Sequence, residues 1–324
     1  MDSPVVLGLD FGGTKIAMAV CAPDGEQVAS ATVPSGGEGG ARASFQRGVT
    51  SARELLAAAA PGRELAAVGV STFGIPFEDR VELAPAIEGW DELPLGRELR
   101  AAFPGVPVRM ATDAKAAAQA EARWGALADC DPAIYLNLGT GLSAAIVVGG
   151  QVLSGRNGAA GEIGYNLRAV SDVGVSLAAR VMLEDMVSGQ ALARRAATDL
   201  GRPMEAGEVF EASRDVPGLD RLVTDFVSEL CFHVVNLAIC ISPVRIAVGG
   251  GIARSWERLR PGLEQALSAG VPFPPELVLA KFPSEAPLIG AVALALDAIS
   301  ARDDRTGEYG VNLSSVMLSE GIPT

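Results

Sequence analysis

Three carboxylates, each set beside glycines or at the end of an apolar run, carry most of the chemistry this sequence can do. Asp10 closes the run Val5-Val-Leu-Gly-Leu-Asp10 and is followed at once by Gly12-Gly13-Thr14-Lys15. Asp113 follows Val106 to Thr112 and opens an alanine-rich stretch, and Glu162 lies between glycines in Gly158-Ala-Ala-Gly161-Glu162-Ile-Gly164. Glycine turns bring backbone N–H groups close to a polyanion, because no Cβ blocks the approach or a positive φ. An acid at a strand end before a glycine pair can hold a magnesium ion, directly or through water, and Thr14 and Lys15 can contact phosphate. A glutamate between glycines can accept hydrogen bonds from hydroxyls. A second bulkless turn, Gly139-Thr140-Gly141, lies in the same segment as Glu162, which runs from Ile134 to Tyr165. A phosphate cradle and a polyol reader so close together point to phosphoryl transfer onto a sugar-like alcohol. Two β-hairpin turns with nothing bound would use the same residues.

These groups need strands and helices to aim them. Val5–Asp10, Ile16–Val20 and Ala29–Val33 read as strands, Ala41–Ala60 as a helix, and Leu65–Ser71 as a buried strand. A helix follows over Leu95–Ala102, a strand over Val106–Ala111, and a helix over Ala114–Gly125. Asp113 therefore sits at a helix N-terminus, where the macrodipole lowers a carboxyl pKa and keeps it ionised as a base; an N-cap would occupy the same place. Further on, Ser188–Asp199, Val209–Ala212 and Gly218–Ile241 read as helices. Pro243–Val248 then runs as a strand into Gly249-Gly250-Gly251, followed by a helix over Trp256–Ala269. Such a unit lets a nucleotide's base and ribose lie flat on backbone, and it is also an ordinary tight turn. Leu277–Phe282 is a strand and Ala286–Ser300 a final helix. The first glycine turn is not a P-loop, which needs four residues between its glycines and then Gly-Lys-Ser/Thr. Asp10-Phe-Gly lacks the companions of the protein-kinase motif.

Composition narrows the classes. The 324 residues suit two domains, and 49% of them are apolar, enough for real cores. A net charge of −13 with no basic patch argues against nucleic acid. Only three of the 26 cations are lysines (Lys15, Lys115, Lys281), which draws attention to the first two. Four scattered cysteines form neither a zinc knot nor a disulfide framework. The one histidine, His233, falls in an apolar run and reads as packed or hydrogen-bonded in a helix. No leader is expected before Val5 and no uninterrupted apolar run of membrane-spanning length, so the expectation is a soluble cytoplasmic protein without membrane partners.

The two hairpins, Asp10-Phe-Gly-Gly-Thr-Lys and Leu138-Gly-Thr-Gly, echo one another, and from Val5 to about Ser300 the chain resembles the ROK family (repressors, open reading frames, kinases). The resemblance implies an α/β fold, the two-domain actin-like ATPase (ribonuclease H-like) architecture, with ATP and sugar in the interdomain cleft. The division it implies is an N-terminal domain over 1–113, joined by the last helix at about 287–300, and a C-terminal domain over 114–286; the charged, then polar tail over 301–324 is expected to be disordered or to pack on a partner. The resemblance also implies ATP contacts at Gly12, Gly13, Thr14, Lys15, Gly139, Thr140, Gly141, Gly249, Gly250 and Gly251. Magnesium falls to Asp10, the catalytic base to Asp113, and acceptor binding to Thr112, Asp113, Glu162, Tyr165 and Glu184. A homodimer is the usual family assembly.

Three departures from the family pattern bear on the acceptor. Tyr165 stands where zinc-containing members have histidine, and Asn166 to Leu183 holds no cysteine or histidine, so no structural zinc is expected and packing should hold that loop. Thr112 and Lys115 replace asparagines. The expected activity is an ATP-dependent sugar kinase acting on a primary hydroxyl. Its acidic pocket suits an amino-hexose such as kanosamine, or a cyclitol of secondary metabolism; glucose is the alternative acceptor. A sugar-responsive regulator of the same family is disfavoured by the acidic charge and by a phosphate motif starting ten residues in. A non-catalytic sugar-binding protein is disfavoured by Asp10, Lys15, Asp113 and Glu162 occurring together.

Overall fold

In the computed structural model, which describes residues 3–36, 39–84 and 86–306 with side chains as far as Ser300, the chain builds two five-stranded sheets of identical connectivity and one two-stranded ribbon. In order, the elements are β1 (Val5–Phe11), β2 (Lys15–Cys21), β3 (Gln27–Pro34), α1 (Gly40–Ala59), β4 (Leu65–Thr72), β5 (Ile75–Pro76), β6 (Val81–Glu82), α2 (Leu95–Ala102), β7 (Val108–Thr112) and α3 (Asp113–Trp124). There follow β8 (Ala133–Leu138), β9 (Leu142–Val148), β10 (Gln151–Val152), α4 (Gly189–Leu200), α5 (Ala206–Ala212), α6 (Pro217–Ile241), β11 (Arg245–Gly249), α7 (Trp256–Gly270), β12 (Glu276–Leu279) and α8 (Ala286–Thr306). One sheet has the order β3-β2-β1-β4-β7 and the other β10-β9-β8-β11-β12. Each begins as an antiparallel meander and continues with two parallel strands.

The echo between the halves extends to register. The β1–β2 hairpin closes at Phe11 opposite Ile16, and the β8–β9 hairpin closes at Leu138 opposite Leu142. Asp10 and Asn137 therefore hold equivalent places, one residue before each glycine turn. Across the parallel pairing Asp10 lies beside Ser71, and Asn137 beside Gly249.

β1 is apolar on both faces because both are covered. On one side α8 lies so close that a side chain at Gly69 would overlap the Ala291 backbone, and Gly8 faces Val292. On the other side Phe11 meets Phe45 and Trp90 at centroid separations of 6.0 and 5.5 Å, and Trp90 meets Phe73 at 4.9 Å. The Trp90 indole N–H donates to Thr72 Oγ1 at 3.2 Å, which anchors the irregular stretch around it. Aromatic pairs of this kind contribute about 0.5–1.5 kcal/mol each beyond their area, and these fix the ends of β1, where Asp10 lies, and of β4, which carries its partner Ser71.

α3 joins the two sheets. Its buried alanines, Ala114, Ala116, Ala117, Ala118 and Ala120, leave room for α8, and Gly290 rests on the Ala116 carbonyl with no space for a Cβ. Near its C-terminus the fully buried Glu121 accepts N–H bonds from Ala126 (2.6 Å), Lys281 (3.1 Å) and Phe282 (2.8 Å), fastening α3 to the chain that leads into α8.

Two expectations need correction. α8 continues to Thr306, so the first six residues of the presumed tail are helical, and 307–324 lie outside the described residues. α6 has the length and composition to cross a membrane, but Asp220, Arg221, Asp225 and Glu229 interrupt it, and Leu222, Phe226, Leu230 and Val234 on it are built into the second core. The loop from Asn166 to Leu183 is held by polar bonds more than by packing, because Val170, Val173, Leu177 and Val181 are exposed. Arg168 pairs with Glu229 of α6, Arg180 donates to the Tyr165 carbonyl at 2.6 Å, and Asp172 accepts the Arg168 and Ala169 N–H groups. His233, buried in α6, meets the Asn166 amide through Nδ1 at 3.4 Å.

Candidate active site

Asp113 emerges where the parallel strand β7 gives way to α3. Thr112 takes the capping role: its hydroxyl accepts the Lys115 N–H at 3.4 Å and it is buried, so Asp113 is freed from that duty. Oδ1 of Asp113 accepts the Ala114 N–H at 2.7 Å. Oδ2 has no hydrogen-bond partner among the described residues. The expectation that the helix terminus would lower this pKa is overturned. Burial raises it, because desolvation of the carboxylate outweighs the opposing effects of the Ala114 N–H and the Lys115 charge. A carboxylate tuned upward is a better match for proton transfer near neutral pH.

Glu162 arrives from a backbone that only glycine permits. Gly161 has φ +83° and lies against the Ala144 carbonyl, which leaves no room for a Cβ, while the Ala144 N–H donates to the Gly161 carbonyl at 2.8 Å. The Glu162 carboxylate accepts from Lys115 Nζ at 3.4 Å; Lys115 is only 5% exposed. Burial raises the Glu162 pKa, Lys115 opposes that, and Asp113 and Glu184 add to it, so the four charged groups lie within electrostatic range of one another. Oε2 of Glu184 accepts the Leu142 N–H at 2.7 Å and fills the space over Gly141, which ties the acid cluster to the second glycine turn. Tyr165 is half-buried beside Glu184 and Glu162, and burial, then those charges, raise its hydroxyl pKa.

Asp10 belongs to the same neighbourhood. Ser71 Oγ donates to its Oδ1 at 2.8 Å, and burial raises its pKa to about 7, with Asp113 contributing repulsion. No cluster of three or more metal-ligating side chains occurs among the described residues. Magnesium asks for less, typically one or two carboxylates plus substrate phosphates. A desolvated acid with no cationic hydrogen-bond partner among the described residues fits that requirement, because a bound cation would supply the counter-charge it lacks.

The glycine turns are partly self-satisfied. The Gly12 N–H closes its own turn onto the Lys15 carbonyl at 3.0 Å, and the Gly139 N–H closes onto Gly141 at 3.1 Å. The N–H groups of Gly13, Thr14, Thr140 and Gly141 have no partner among the described residues and are the donors left for an anion. Lys15 begins β2 exposed, with its charge felt at Asp10. Of the third glycine run, Gly249 is required because the Tyr135 hydroxyl occupies its Cβ position, and Gly250 because of φ +87° and contact with Leu138. Only Gly251 faces open space, so internal packing accounts for two of these three glycines.

Two members of the site escape a reading of motifs. Ser71 is found only through its register with Asp10. Lys115 stands out in sequence as one of three lysines, two residues after Asp113, but its partner lies 47 residues away.

The ROK family model matches residues 6–298 of this chain. The ROK hexokinase of Thermus thermophilus superposes with a TM-score of 0.76 at 30% identity, over 94% of this chain and 100% of that one. A ROK family glucokinase from Streptomyces griseus, solved with glucose and AMPPNP, gives a TM-score of 0.70 at 28% identity, over 90% of this chain and 99% of its own. The kanosamine kinase of Amycolatopsis mediterranei is 28% identical over 309 residues, 91% of this chain and 97% of its own length. The bifunctional enzyme NanE/NanK of Brucella melitensis is 33% identical over 205 residues, 63% of this chain, and the match spans only 38% of that longer relative.

Proposed function

The chain belongs to the ROK family and has its two-domain, actin-like ATPase fold, and on that premise we propose that it is an ATP-dependent sugar kinase with Asp113 as its general base. The observation that carries the reading is the Asp113 carboxylate: one oxygen fixed by the Ala114 N–H, the other unpartnered, with Glu162, Glu184 and Asp10 around it. Asp113 Oδ2 accepts the proton of a primary hydroxyl as that oxygen forms its bond to the γ-phosphorus and the bond to the ADP oxygen breaks. Glu162, Glu184, Tyr165 and Thr112 surround the acceptor, and the free N–H groups of both glycine turns face the phosphates. Asp10 is the residue that would hold magnesium, which when bound neutralises phosphate charge; positioning and charge stabilisation supply most of the rate.

The acceptor is proposed as a hexose-like polyol. Lys115 already compensates Glu162, which favours an uncharged hexose, glucose included, or a cyclitol. Similarity to a kanosamine kinase over 91% of the chain supports the second reading, an amino-hexose. The same proposal includes lobes at 1–113 with 287–300 and at 114–286, a 166–183 loop that needs no zinc, and a family-type homodimer. Asp113→Asn tests the base: ADP release with a hexose panel should fall by at least about a thousandfold, while calorimetric affinity for sugar and nucleotide stays within about tenfold. Unimpaired turnover would remove Asp113 from the role.

A further inference from the structure

We propose that Lys115 is the selectivity-determining residue of the acceptor site: its ammonium, seated behind Glu162, occupies the electrostatic place that an amino sugar would otherwise fill and makes the enzyme choose uncharged over aminated hexoses. This rests on the kinase reading above and deepens it.

Geometry carries the argument. Lys115 lies in the first turn of α3, two residues after the base, and is 5% exposed, whereas Glu162 keeps 21% exposure. The lysine therefore backs the carboxylate, and the glutamate faces the cleft. A buried ammonium is tolerated only when paired, and among the described residues Glu162, at 3.4 Å, is the one acceptor for Nζ. An acceptor ammonium placed on the other face of the same carboxylate would meet a like charge across it. A hydroxyl meets no such cost and gains an acceptor oxygen held in place. Without Lys115, Glu162 would need a counter-ion, and an aminated acceptor would bring one.

The other charged groups around the pair do not supply that counter-ion. Asp113 on α3, and Glu184 with Asp185 after the 166–183 loop, are all acids, and Tyr165 is a neutral phenol. Asp10 and Tyr135, which reach the pair only by way of Asp113, are not cationic either. Lys15 acts on Asp10. Lys115 is a positioning residue, acting through Glu162.

The test compares wild type, Lys115→Met and Lys115→Arg with glucose, glucosamine and kanosamine as acceptors. Wild type should prefer glucose in kcat/KM. Lys115→Met should shift the ratio toward the amino sugars by at least about tenfold, and the acidic limb of kcat/KM for glucose should move up by about one pH unit as Glu162 loses its partner. Lys115→Arg keeps the charge and should keep the glucose preference. An arm independent of turnover uses 15N-lysine labelling: with three lysines in the chain, the signal lost in Lys115→Arg identifies Lys115, and glucose should move it. Wild type preferring an amino sugar, or Lys115→Met leaving both ratio and pH limb in place, overturns the proposal and leaves the kinase reading intact. No turnover of any hexose by wild type, with the lysine signal still moved by glucose, would sink the kinase reading and keep the Lys115–acceptor coupling. Should Lys115→Met not fold, the wild-type ratio and the lysine spectrum decide alone.

Discussion

Asp10 should destabilise the ligand-free protein at neutral pH, and replacing it should show by how much. Its pKa rises from 3.8 to about 7, chiefly by burial, with Ser71 opposing, Asp113 adding and Lys15 opposing. The sign follows from that direction. A carboxyl whose folded pKa is raised has its full stabilising share below pH 3.8, and that share is lost as pH climbs through about 7. The difference between the two values corresponds to about 4 kcal/mol, of which about 2.5 kcal/mol develops between about pH 5 and pH 8. Asp10→Asn keeps an acceptor for Ser71 Oγ and cannot ionise, so it should be more stable than wild type by an amount that grows over this range. Urea unfolding can be followed by the fluorescence of Trp90, which is buried in the same core, in a background with Trp124 and Trp256 changed to phenylalanine. Magnesium with nucleotide should narrow the gap by stabilising wild type more than the variant, which keeps the N–H donors but loses the residue that would hold the metal. An equal difference at pH 5 and pH 8, or a variant weaker at both, would refute the reasoning.

Two further outcomes follow from backbone fit. Gly161→Ala would place a methyl group on the Ala144 carbonyl at a φ of +83°; displacement of Glu162 should weaken hexose binding by at least about tenfold, with nucleotide binding unchanged, and an equal loss of both in calorimetry would count against it. Glu121→Ala leaves three part-buried N–H groups without their acceptor, each worth about 1 kcal/mol. Its melting temperature should fall far more than that of the exposed-site control Glu257→Ala, and a similar fall in both would show that the three bonds do not matter.

How much of this was legible beforehand varied with the range of the interaction. Strands such as Val5–Phe11 and helices such as Leu95–Ala102 are written in local apolar period and turn residues, and the paired hairpins disclosed the repeat. Asp10, Asp113 and Glu162 were visible because each stands beside a break in that period. Their partners were hidden by distance: Ser71 reaches Asp10 only through strand register, and Lys115 reaches Glu162 only once the second sheet's loop folds over α3. The direction of the Asp113 pKa also needed three dimensions, because a local rule supplies the helix dipole and only packing supplies the desolvation that sets the sign. Gly249 and Gly250 looked like ligand contacts in sequence for the same reason that they fit Tyr135 and Leu138: a missing side chain does not say what fills the gap.

The register that makes the two halves alike also shows where they part. At one of the matched positions the chain places an acid, at the other an amide, and Asn137 spends its nitrogen on nothing closer than Ser143 Oγ at 3.5 Å. The acid attracts cations, whereas the amide can offer a proton to an anion. The repeat is thus symmetrical in trace and lopsided in polarity. An elongated polyanion carrying a divalent ion toward one end would meet unlike groups at the two matched positions, a frame with a head and a tail.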